Sequence, residues 1–244
     1  TFADRFEDYA TDQLPLRDEF RTLKALTATG LLRQRDNNGL YRVGDHLAKL
    51  EYPMNTASLD HAAERFRYLY EAYLKDAGSR VYLSLIPDKN YFMAAPNGYP
   101  SIDYEQFAEE LQSRTGYMQY IDIFDLLELE DYYRTDAHWR QEKILDVAAR
   151  LAGGMGVELT GSYTRKTLEK PFYGVYYGQA ALPIAPEEMN YLTGGAIDTA
   201  AVYNYETDTE GGIYDAEKAA GRDPYEMFLS GSVSLLRIEN PQNT

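Results

Sequence analysis

Residues 132–139 read Tyr-Tyr-Arg-Thr-Asp-Ala-His-Trp, and this stretch decides how the fold of the chain is interpreted. It lies between an apolar run at 118–124, which is typical of a β-strand, and a segment from Gln141 whose apolar residues have helical spacing. Loops at the ends of strands are the places where α/β sheets bind ligands. The position therefore predicts a functional loop between a strand and a helix.

Asp136 and His138 are the two side chains of this loop that can perform acid–base chemistry together. In an extended segment, residues two apart project to the same side, so the spacing predicts that the carboxylate and the imidazole converge. A carboxylate beside an imidazole fixes its tautomer and makes it a general base for a hydroxyl nucleophile. The same spacing also occurs in loops that are merely hydrogen-bonded, and the residues alone leave both interpretations open. His46, in a predicted turn, and His61, on a predicted helix, are interpreted as structural or solvated.

Composition excludes several classes of protein. The chain has 244 residues, of which 44% are hydrophobic and 26% charged, the balance of a folded globular protein of one ordinary or two small domains. A formal charge of −15 repels phosphate backbones, so we expect no nucleic-acid partner. There is no cysteine, which excludes disulfides and thiol nucleophiles. No histidine and carboxylate set has the spacing of a metal site, and we expect no metal or other cofactor.

Apolar periodicity and turn residues predict the elements of the chain. The predicted helices are 17–35, 58–76, 103–114 and 141–151, and the predicted strands are 40–43, 80–86 and 118–124. The unit from 80 to 124 is a strand, a loop, a helix and a strand, which predicts a parallel pair. Residues 126–130 form an acidic turn or short helix, and beyond Val157 we expect strands, long loops and few helices. The 23 tyrosines suit half-buried strands and also sugar-binding surfaces.

The stretch 132–139 resembles the signature of the bacterial DHHW family, and its Thr-Asp-x-His-Trp part is similar to the alginate O-acetyltransferase relatives of the SGNH hydrolases. Other blocks that resemble the family lie at 6–9, 12–17, 86–92 and 120–124, with weaker likeness at 172–174 and 228–231. Ala137 stands where the family has the first histidine of its signature, which leaves His138 alone as the base. The acetyltransferase relatives also lack that first histidine.

The resemblance implies an SGNH-hydrolase-like three-layer α/β/α domain with a mainly parallel sheet and an added Tyr-rich region. We expect one domain over 1–244, with an N-terminal extension at 1–55, a core at 56–155 and an insertion of strands and loops at 156–244. The implied function is an extracytoplasmic carbohydrate O-acetyltransferase or O-acetylesterase acting on a polysaccharide or other acetylated glycan. In this class His138 is the general base and Asp136 orients it. The alternative is a non-catalytic surface or polysaccharide-binding protein that keeps the fold.

Four further residues are candidates for substrate binding: Trp139, Tyr133, Arg134 and Lys89. Trp139 is interpreted equally well as a packing residue. Lys89 follows the predicted strand 80–86, where a cation would face an acyl oxyanion or an anionic sugar. A salt bridge within the loop is the simpler interpretation of Lys89.

The nucleophile that the resemblance implies is a serine in a Gly-Asp-Ser or Arg-Asp-Ser block, and neither block occurs in these residues. We expect the serine and the last strand of the sheet to follow Thr244 in a longer protein, with a catalytically dead member as the alternative. Ser230, Ser232 and Ser234 are weak substitutes, because no nucleophile turn of the expected type surrounds them. The chain opens on Thr1 without a leader, so we expect any membrane anchoring to depend on a removed N-terminal segment.

Overall fold

The computed structural model describes Tyr9, Gln13 and residues 15–240, in which short helices and short strands alternate. The helices are α1 Arg17–Leu26, α2 Thr56–Leu69, α3 Lys89–Met93, α4 Tyr104–Arg114, α5 Leu145–Gly154, α6 Val175–Ala180, α7 Ala196–Thr199 and α8 Ala216–Ala220. The strands are β1 Leu40–Val43, β2 His46–Lys49, β3 Tyr82–Leu83, β4 Gln119–Tyr120, β5 Thr164–Thr167, β6 Asn190–Thr193, β7 Ala201–Asn204, β8 Thr209–Gly211 and β9 Leu236–Glu239. The family-like block at 6–8, with part of the block at 12–17, lies outside the described residues.

The predicted strand–loop–helix–strand unit is present as β3, α4 and β4. Tyr82 pairs with Gln119 and Leu83 with Tyr120 in parallel register. Helix α4 starts as predicted, because the Asp103 carboxylate accepts the N–H of Gln106 at 2.9 Å and caps the first turn. The mixed α/β class is thus confirmed, although the two strands are much shorter than the apolar runs that contain them. The three-layer arrangement with a mainly parallel sheet stays a prediction, since β3–β4 is the one parallel pair in the described residues.

Strands β1 and β2 form an antiparallel hairpin near the start of the chain. Strand β1 has the predicted bounds, but His46 opens β2 and does not lie in a turn, so that expectation is corrected. The turn of the hairpin lies just before it, at Gly44 and Asp45, and the φ of 58° at Gly44 suits glycine. On the buried face of the hairpin, Leu40 and Leu47 pack with Ala25 of α1 and with residues that lie about 140 positions later, Ala180, Leu182 and Ile184.

Three predicted helices have shifted ends. Helix α1 ends at Leu26, and wider turns carry the chain to Leu31 before Arg33 adopts a left-handed φ of 53° that cannot continue a helix. Helix α2 likewise ends at Leu69 and continues in wider turns to Leu74. The predicted helix at 141–151 begins as a tight turn, and its regular part, α5, runs from Leu145. Periodicity located all three helices and misjudged where they end.

The region beyond residue 157 has the expected character of short strands and loops. Strand β5 pairs with β6, and β7 lies between β8 and β9, all antiparallel. The three helices of this region, α6 to α8, have four to six residues each. No helix in the described part of the chain is long and apolar enough to cross a membrane.

Two isolated bridges occur here, one within the loop at 132–139 and one within the later region. Tyr132 pairs with Trp139 and closes the loop, and Phe172 pairs with Glu187. The aromatic core beneath joins both parts, because Tyr133 packs with Phe172, Met189 and Met227. The loop is therefore held by residues 39 to 94 positions further along the chain than Tyr133.

Candidate functional site

The loop between Tyr132 and Trp139 is a closed turn, which corrects the expectation of an extended segment. The Oδ1 atom of Asp136 accepts the backbone N–H of His138 at 3.0 Å. This is the local turn that a short aspartate side chain makes with the residue two positions on. Asp136 and His138 do converge as predicted, but the carboxylate itself bends the backbone that brings them together.

Asp136 and His138 form a carboxylate–imidazole pair. The Nδ1 atom of His138 lies 2.5 Å from Oδ1 of Asp136. The Asp136 side chain is 4% exposed and that of His138 is 51% exposed. The second carboxylate oxygen, Oδ2, accepts the backbone N–H of Val175 at 2.8 Å. One end of the pair is thus fixed inside the protein, while the imidazole ring stands at the surface.

The hydrogen bonds of Asp136 keep it ionised. Burial alone would raise its pKa, but the hydrogen bonds from the His138 ring and from the backbone N–H groups of Val175 and His138 outweigh burial, and the pKa is lowered. An ionised carboxylate at Nδ1 accepts the proton of that nitrogen and leaves the lone pair of a neutral imidazole on Nε2. Nε2 has no hydrogen-bond partner among residues 15–240. The geometry is that of an imidazole oriented through Nδ1, with Nε2 available to accept a proton.

Tyr225 supports the imidazole from one face. Its ring stacks on that of His138 with centroids 4.1 Å apart and an interplanar angle of 18°. The tyrosine lies in a tight turn, Pro224–Met227, that the Asp223 carboxylate caps by accepting the N–H of Tyr225 at 3.0 Å. Burial, followed by the charge of Asp136, raises the pKa of Tyr225 to about 12, so the phenol is neutral at physiological pH. Tyr225 lies 87 positions after His138, and no spacing rule links the two.

Glu187 stabilises the loop at 132–139 from the interior of the protein. It is buried, and its Oε1 atom accepts the backbone N–H groups of Arg134 at 2.8 Å and Thr135 at 3.2 Å. Its other oxygen, Oε2, is paired with the guanidinium of Arg140 and lies 3.7 Å from Nε of Arg134. A buried carboxylate of this kind is stable because its charge is paired and its oxygens accept hydrogen bonds. Sequence reasoning did not identify Glu187.

Lys89 holds the opposite side of the same backbone. It is 2% exposed, and its Nζ atom donates to the carbonyl oxygens of Tyr133 at 3.0 Å and Arg134 at 3.1 Å. Burial lowers the pKa of Lys89 to about 7, against the opposing charges of Asp136, Glu187 and Asp88. No ion pair of Lys89 occurs among the described residues, which corrects the interpretation as a loop salt bridge. Its ammonium group is turned inward, toward the loop backbone, and so has no surface with which to contact a substrate.

Gly174 allows the closest approach between the two halves of the site. A side chain at this position would collide with the Asp136 side chain and with the carbonyl of Thr135. Its N–H donates to Oγ1 of Thr135 at 3.0 Å, and the Thr135 carbonyl accepts the N–H of Tyr176 at 3.0 Å. The weak family likeness at 172–174 was the one sequence signal that pointed here.

The other predicted binding residues have different environments. Tyr133 is fully buried in the aromatic core, so its ring belongs to the core and has no exposed surface for a substrate. Arg134 is engaged by the Pro186 carbonyl at 3.0 Å as well as by carboxylates. Trp139 packs against the apolar cluster of Ile123, Leu127 and Val147, and one side of it lines a cavity of about 290 Å³. Of the predicted set, Asp136 and His138 form a pair of which His138 is the exposed member, and Trp139 is the next residue in the chain.

None of the candidate serines bonds to His138 within the described residues. Ser230 lies in a strained turn in which Leu229, Ser230 and Gly231 all have positive φ. Its hydroxyl donates to the Asp215 carboxylate at 2.9 Å and so has a different partner. Also within this part of the chain, no three His, Cys, Asp or Glu side chains converge to hold a metal ion.

The architecture defines the class of the chain as a mixed α/β fold with small sheets. In that class it is similar to solved structures of Bacillus cereus PatB1. One of them is matched at a TM-score of 0.58 and 15% identity, over 83% of this chain and 76% of that chain. PatB1 with a sulfonyl adduct is matched at a TM-score of 0.62 and 18% identity, over 82% and 74%. No family model and no curated protein matches the sequence. The DHHW resemblance stays a prediction.

Proposed function

We propose that the protein is an extracytoplasmic SGNH-like carbohydrate O-acetyltransferase or O-acetylesterase with a Ser-His-Asp mechanism. The observation that carries the proposal is the pair itself. An ionised, buried Asp136 lies 2.5 Å from Nδ1 of a half-exposed His138. Nothing in a purely structural hydrogen bond requires the ring to be half-exposed and stacked on an aromatic support. The substrate would be a polysaccharide or another acetylated glycan.

In the first half-reaction, Nε2 of His138 removes the proton of a serine hydroxyl as the serine oxygen attacks the carbonyl carbon of an acetyl ester. The tetrahedral intermediate collapses when the bond to the leaving alcohol breaks, and His138 returns the proton to that alcohol oxygen. Asp136 stabilises the imidazolium while it carries the proton. The products are an acetyl-serine and a free hydroxyl.

In the second half-reaction, His138 removes a proton from the acceptor hydroxyl of a glycan, or from water, as that oxygen attacks the acetyl-serine. Collapse releases the new ester or acetate, and the proton returns to the serine oxygen. In this proposal the serine follows Thr244 in a longer protein, as the resemblance implies. Ser230 is bonded to Asp215, and no candidate serine among the described residues bonds to His138. The likeness to PatB1 supports the proposal at the level of the fold. That one PatB1 structure carries a sulfonyl adduct is in keeping with it, because sulfonylation is a reaction of activated nucleophiles.

The test is hydrolysis of a chromogenic acetyl ester by the full-length protein and by two variants. We expect His138→Ala and Asp136→Asn each to lower kcat by about 10³- to 10⁴-fold, the loss typical of removing one member of such a triad. His61→Ala is the matched control, because His61 is exposed on α2 and outside the site.

Labelling with a sulfonyl fluoride distinguishes the enzyme from the non-catalytic alternative. The expected mass-spectrometric result is one modified serine after Thr244, with labelling lost in His138→Ala. Equal ester hydrolysis by the parent protein and His138→Ala would remove His138 from the mechanism. A full-length protein that is neither labelled nor active would support the polysaccharide-binding alternative.

A further inference from the structure

A cavity of about 450 Å³ lies beside the Asp136–His138 pair, between the segments 173–178 and 222–226. Both segments also hold the pair. The first contains Val175, whose N–H bonds to Asp136, and the second contains Tyr225, which stacks on His138. We call this space the Tyr173 cavity. Its volume is within the range of small-molecule sites in proteins.

One wall of the Tyr173 cavity is aromatic. Tyr173 is 42% exposed, and its ring centroid lies 4.5 Å from that of Tyr177 at an angle of 46°. Because a tyrosine ring offers an apolar face and a polar hydroxyl at its edge, it can pack on the C–H face of a pyranose and bond to its hydroxyls. Tyr173 thus offers accessible ring surface at this wall, whereas Tyr177 is partly buried against the core cluster beneath it.

The other wall is polar and carries mixed charge. It is formed by Arg222, Asp223 and Glu226. Glu226 is paired with Lys218 at 2.9 Å, and Asp223 caps the turn that carries Tyr225. The Arg222 side chain has no hydrogen-bond or ion-pair partner in the described part of the chain. These groups supply both donors and acceptors for hydroxyls.

The mixed charge of this wall is unfavourable for two other classes of ligand. A wholly apolar ligand would leave charged groups without water or partners. A polyanion would face two carboxylates against one guanidinium, in a chain of net charge −15. By contrast, the cavity beside Trp139 has an almost wholly apolar lining, including Ile144, Ile213 and Phe228, and is poorly suited to a sugar. An uncharged polyhydroxylated ligand fits the Tyr173 cavity best.

We propose that the Tyr173 cavity binds one or two pyranose rings of an uncharged glycan, with one ring face on Tyr173 and hydroxyls bonded to the opposite wall. The proposal rests on the proposed function, because it assigns this cavity to the glycan that donates or accepts the acetyl group. The shared wall at Gly174 and Val175 places such a sugar next to Asp136 and His138. Selectivity for uncharged over anionic glycans would then come from Asp223 and Glu226.

The test is saturation-transfer NMR of the full-length protein with three probes: cellotriose, an N-acetylglucosamine trisaccharide and an oligogalacturonate of the same length. We expect at least one uncharged trisaccharide to bind, with saturation strongest on ring C–H protons, and the oligogalacturonate not to bind. Tyr173→Ala should weaken binding at least fivefold and Arg222→Gln to a lesser extent. Tyr205→Ala is the matched control, because Tyr205 is 48% exposed and also pairs with a neighbouring tyrosine, at 4.8 Å.

The experiments distinguish a wrong assignment of the cavity as a glycan site from a wrong assignment of His138 as the catalytic base. His138→Ala should keep trisaccharide binding while it abolishes ester hydrolysis. Binding that depends on Tyr173 in an inactive protein would retain the cavity and reject the catalysis. No saturation by any probe, binding of the oligogalacturonate alone, or equal binding by Tyr173→Ala and Tyr205→Ala would overturn the cavity as a glycan site.

Discussion

Two histidines lie near the loop at 132–139, and their surroundings differ in nearly every respect. His138 is half-exposed, bonded at Nδ1 to an ionised carboxylate and stacked on Tyr225. His46 opens β2, the strand whose Leu47 N–H donates to the Arg134 carbonyl at 2.8 Å. Its Nδ1 atom is buried and has no hydrogen-bond partner within residues 15–240.

The charged groups around His46 are mainly cations, whereas the charged group bonded to His138 is a carboxylate. Burial lowers the pKa of His46 to about 4, with the cations Lys89, Arg134 and Arg140 acting in the same direction and Glu130 against them. Protonation is therefore disfavoured at His46, whereas His138 has a carboxylate oxygen 2.5 Å from its Nδ1. The same residue type thus serves two purposes within one region. What distinguishes a usable base is the buried carboxylate behind an exposed ring.

The largest expected effect comes from Gly174→Ala, which would disturb the buried carboxylate that distinguishes His138 from His46. The new methyl group collides with Asp136 and the Thr135 carbonyl, so the backbone at Val175 must move and Asp136 loses that N–H. We expect a loss of about 3 kcal/mol in the free energy of unfolding, as for overpacking of a tight site. Urea denaturation measures this loss of stability. The rate of ester hydrolysis should fall as well.

Gly178→Ala is the control for this substitution. Gly178 lies in α6, four positions away, and a side chain there meets open space. Alanine also has the higher helix propensity, so the control should be neutral or slightly stabilising. Equal stability of the two variants would show that the close contact at Gly174 does not constrain Asp136.

A smaller effect is expected from Glu187→Gln, which tests whether the buried support of the loop determines how well His138 works. The amide can still accept the N–H groups of Arg134 and Thr135 but leaves the Arg140 guanidinium without its charge partner. We expect a loss of about 2 kcal/mol in unfolding free energy. In steady-state kinetics kcat should fall with little change in KM, because the loop that carries His138 is less well fixed.

Glu188→Gln is the matched control, since the neighbouring Glu188 side chain is exposed. A Glu187→Gln protein with the stability and kcat of the control would place the support of the loop elsewhere, with Lys89 as the remaining candidate.

The smallest effect is expected from His46→Gln, and it concerns pH. Between pH 6.5 and 4 the histidine is protonated in the unfolded chain but neutral in the folded one, so the unfolded state binds more protons and acid lowers the stability. We expect the variant to lose less stability than the parent over this window, by about 1 kcal/mol. Denaturant unfolding at several pH values measures it, with His61→Gln as the control on α2. Parallel pH profiles for parent and variant would contradict the assignment of His46 as a neutral buried histidine.

Local sequence predicted those features that depend on neighbours in the chain. Helix α4 has nearly its predicted bounds, because its amphipathic pattern and the Asp103 cap are both local. The parallel pairing of β3 with β4 followed from the order of elements. The lengths of these strands did not, because an apolar run shows where a strand can form and leaves open how many of its residues find a partner. The ends of α1 and α2 were misjudged because apolar periodicity continues into the wider turns that follow each helix.

The site was predicted in part. Asp136 and His138 were identified from their chemistry and spacing, although the turn that joins them is made by the Asp136 side chain and not by strand alternation. Lys89 and Tyr133 were assigned to the substrate because polar and aromatic residues near a motif are candidates for binding, and the structure buries both. A sequence pattern gives the type of a side chain, whereas its direction depends on elements that pack on it.

By itself, then, the sequence determined the helices, the mixed α/β class, the parallel pair and the carboxylate–imidazole couple, because each of these is encoded within a few turns of chain. The tertiary structure alone decided how the Asp136–His138 pair is held. Gly174, Glu187 and Tyr225 lie 38 to 87 positions from the residues they hold, and such contacts follow from the packing of the aromatic core, which joins Tyr133 to Phe172 and Met227. The same packing brings the Val175 N–H to Asp136, whose hydrogen bonds keep it ionised, and it leaves His138 half-exposed.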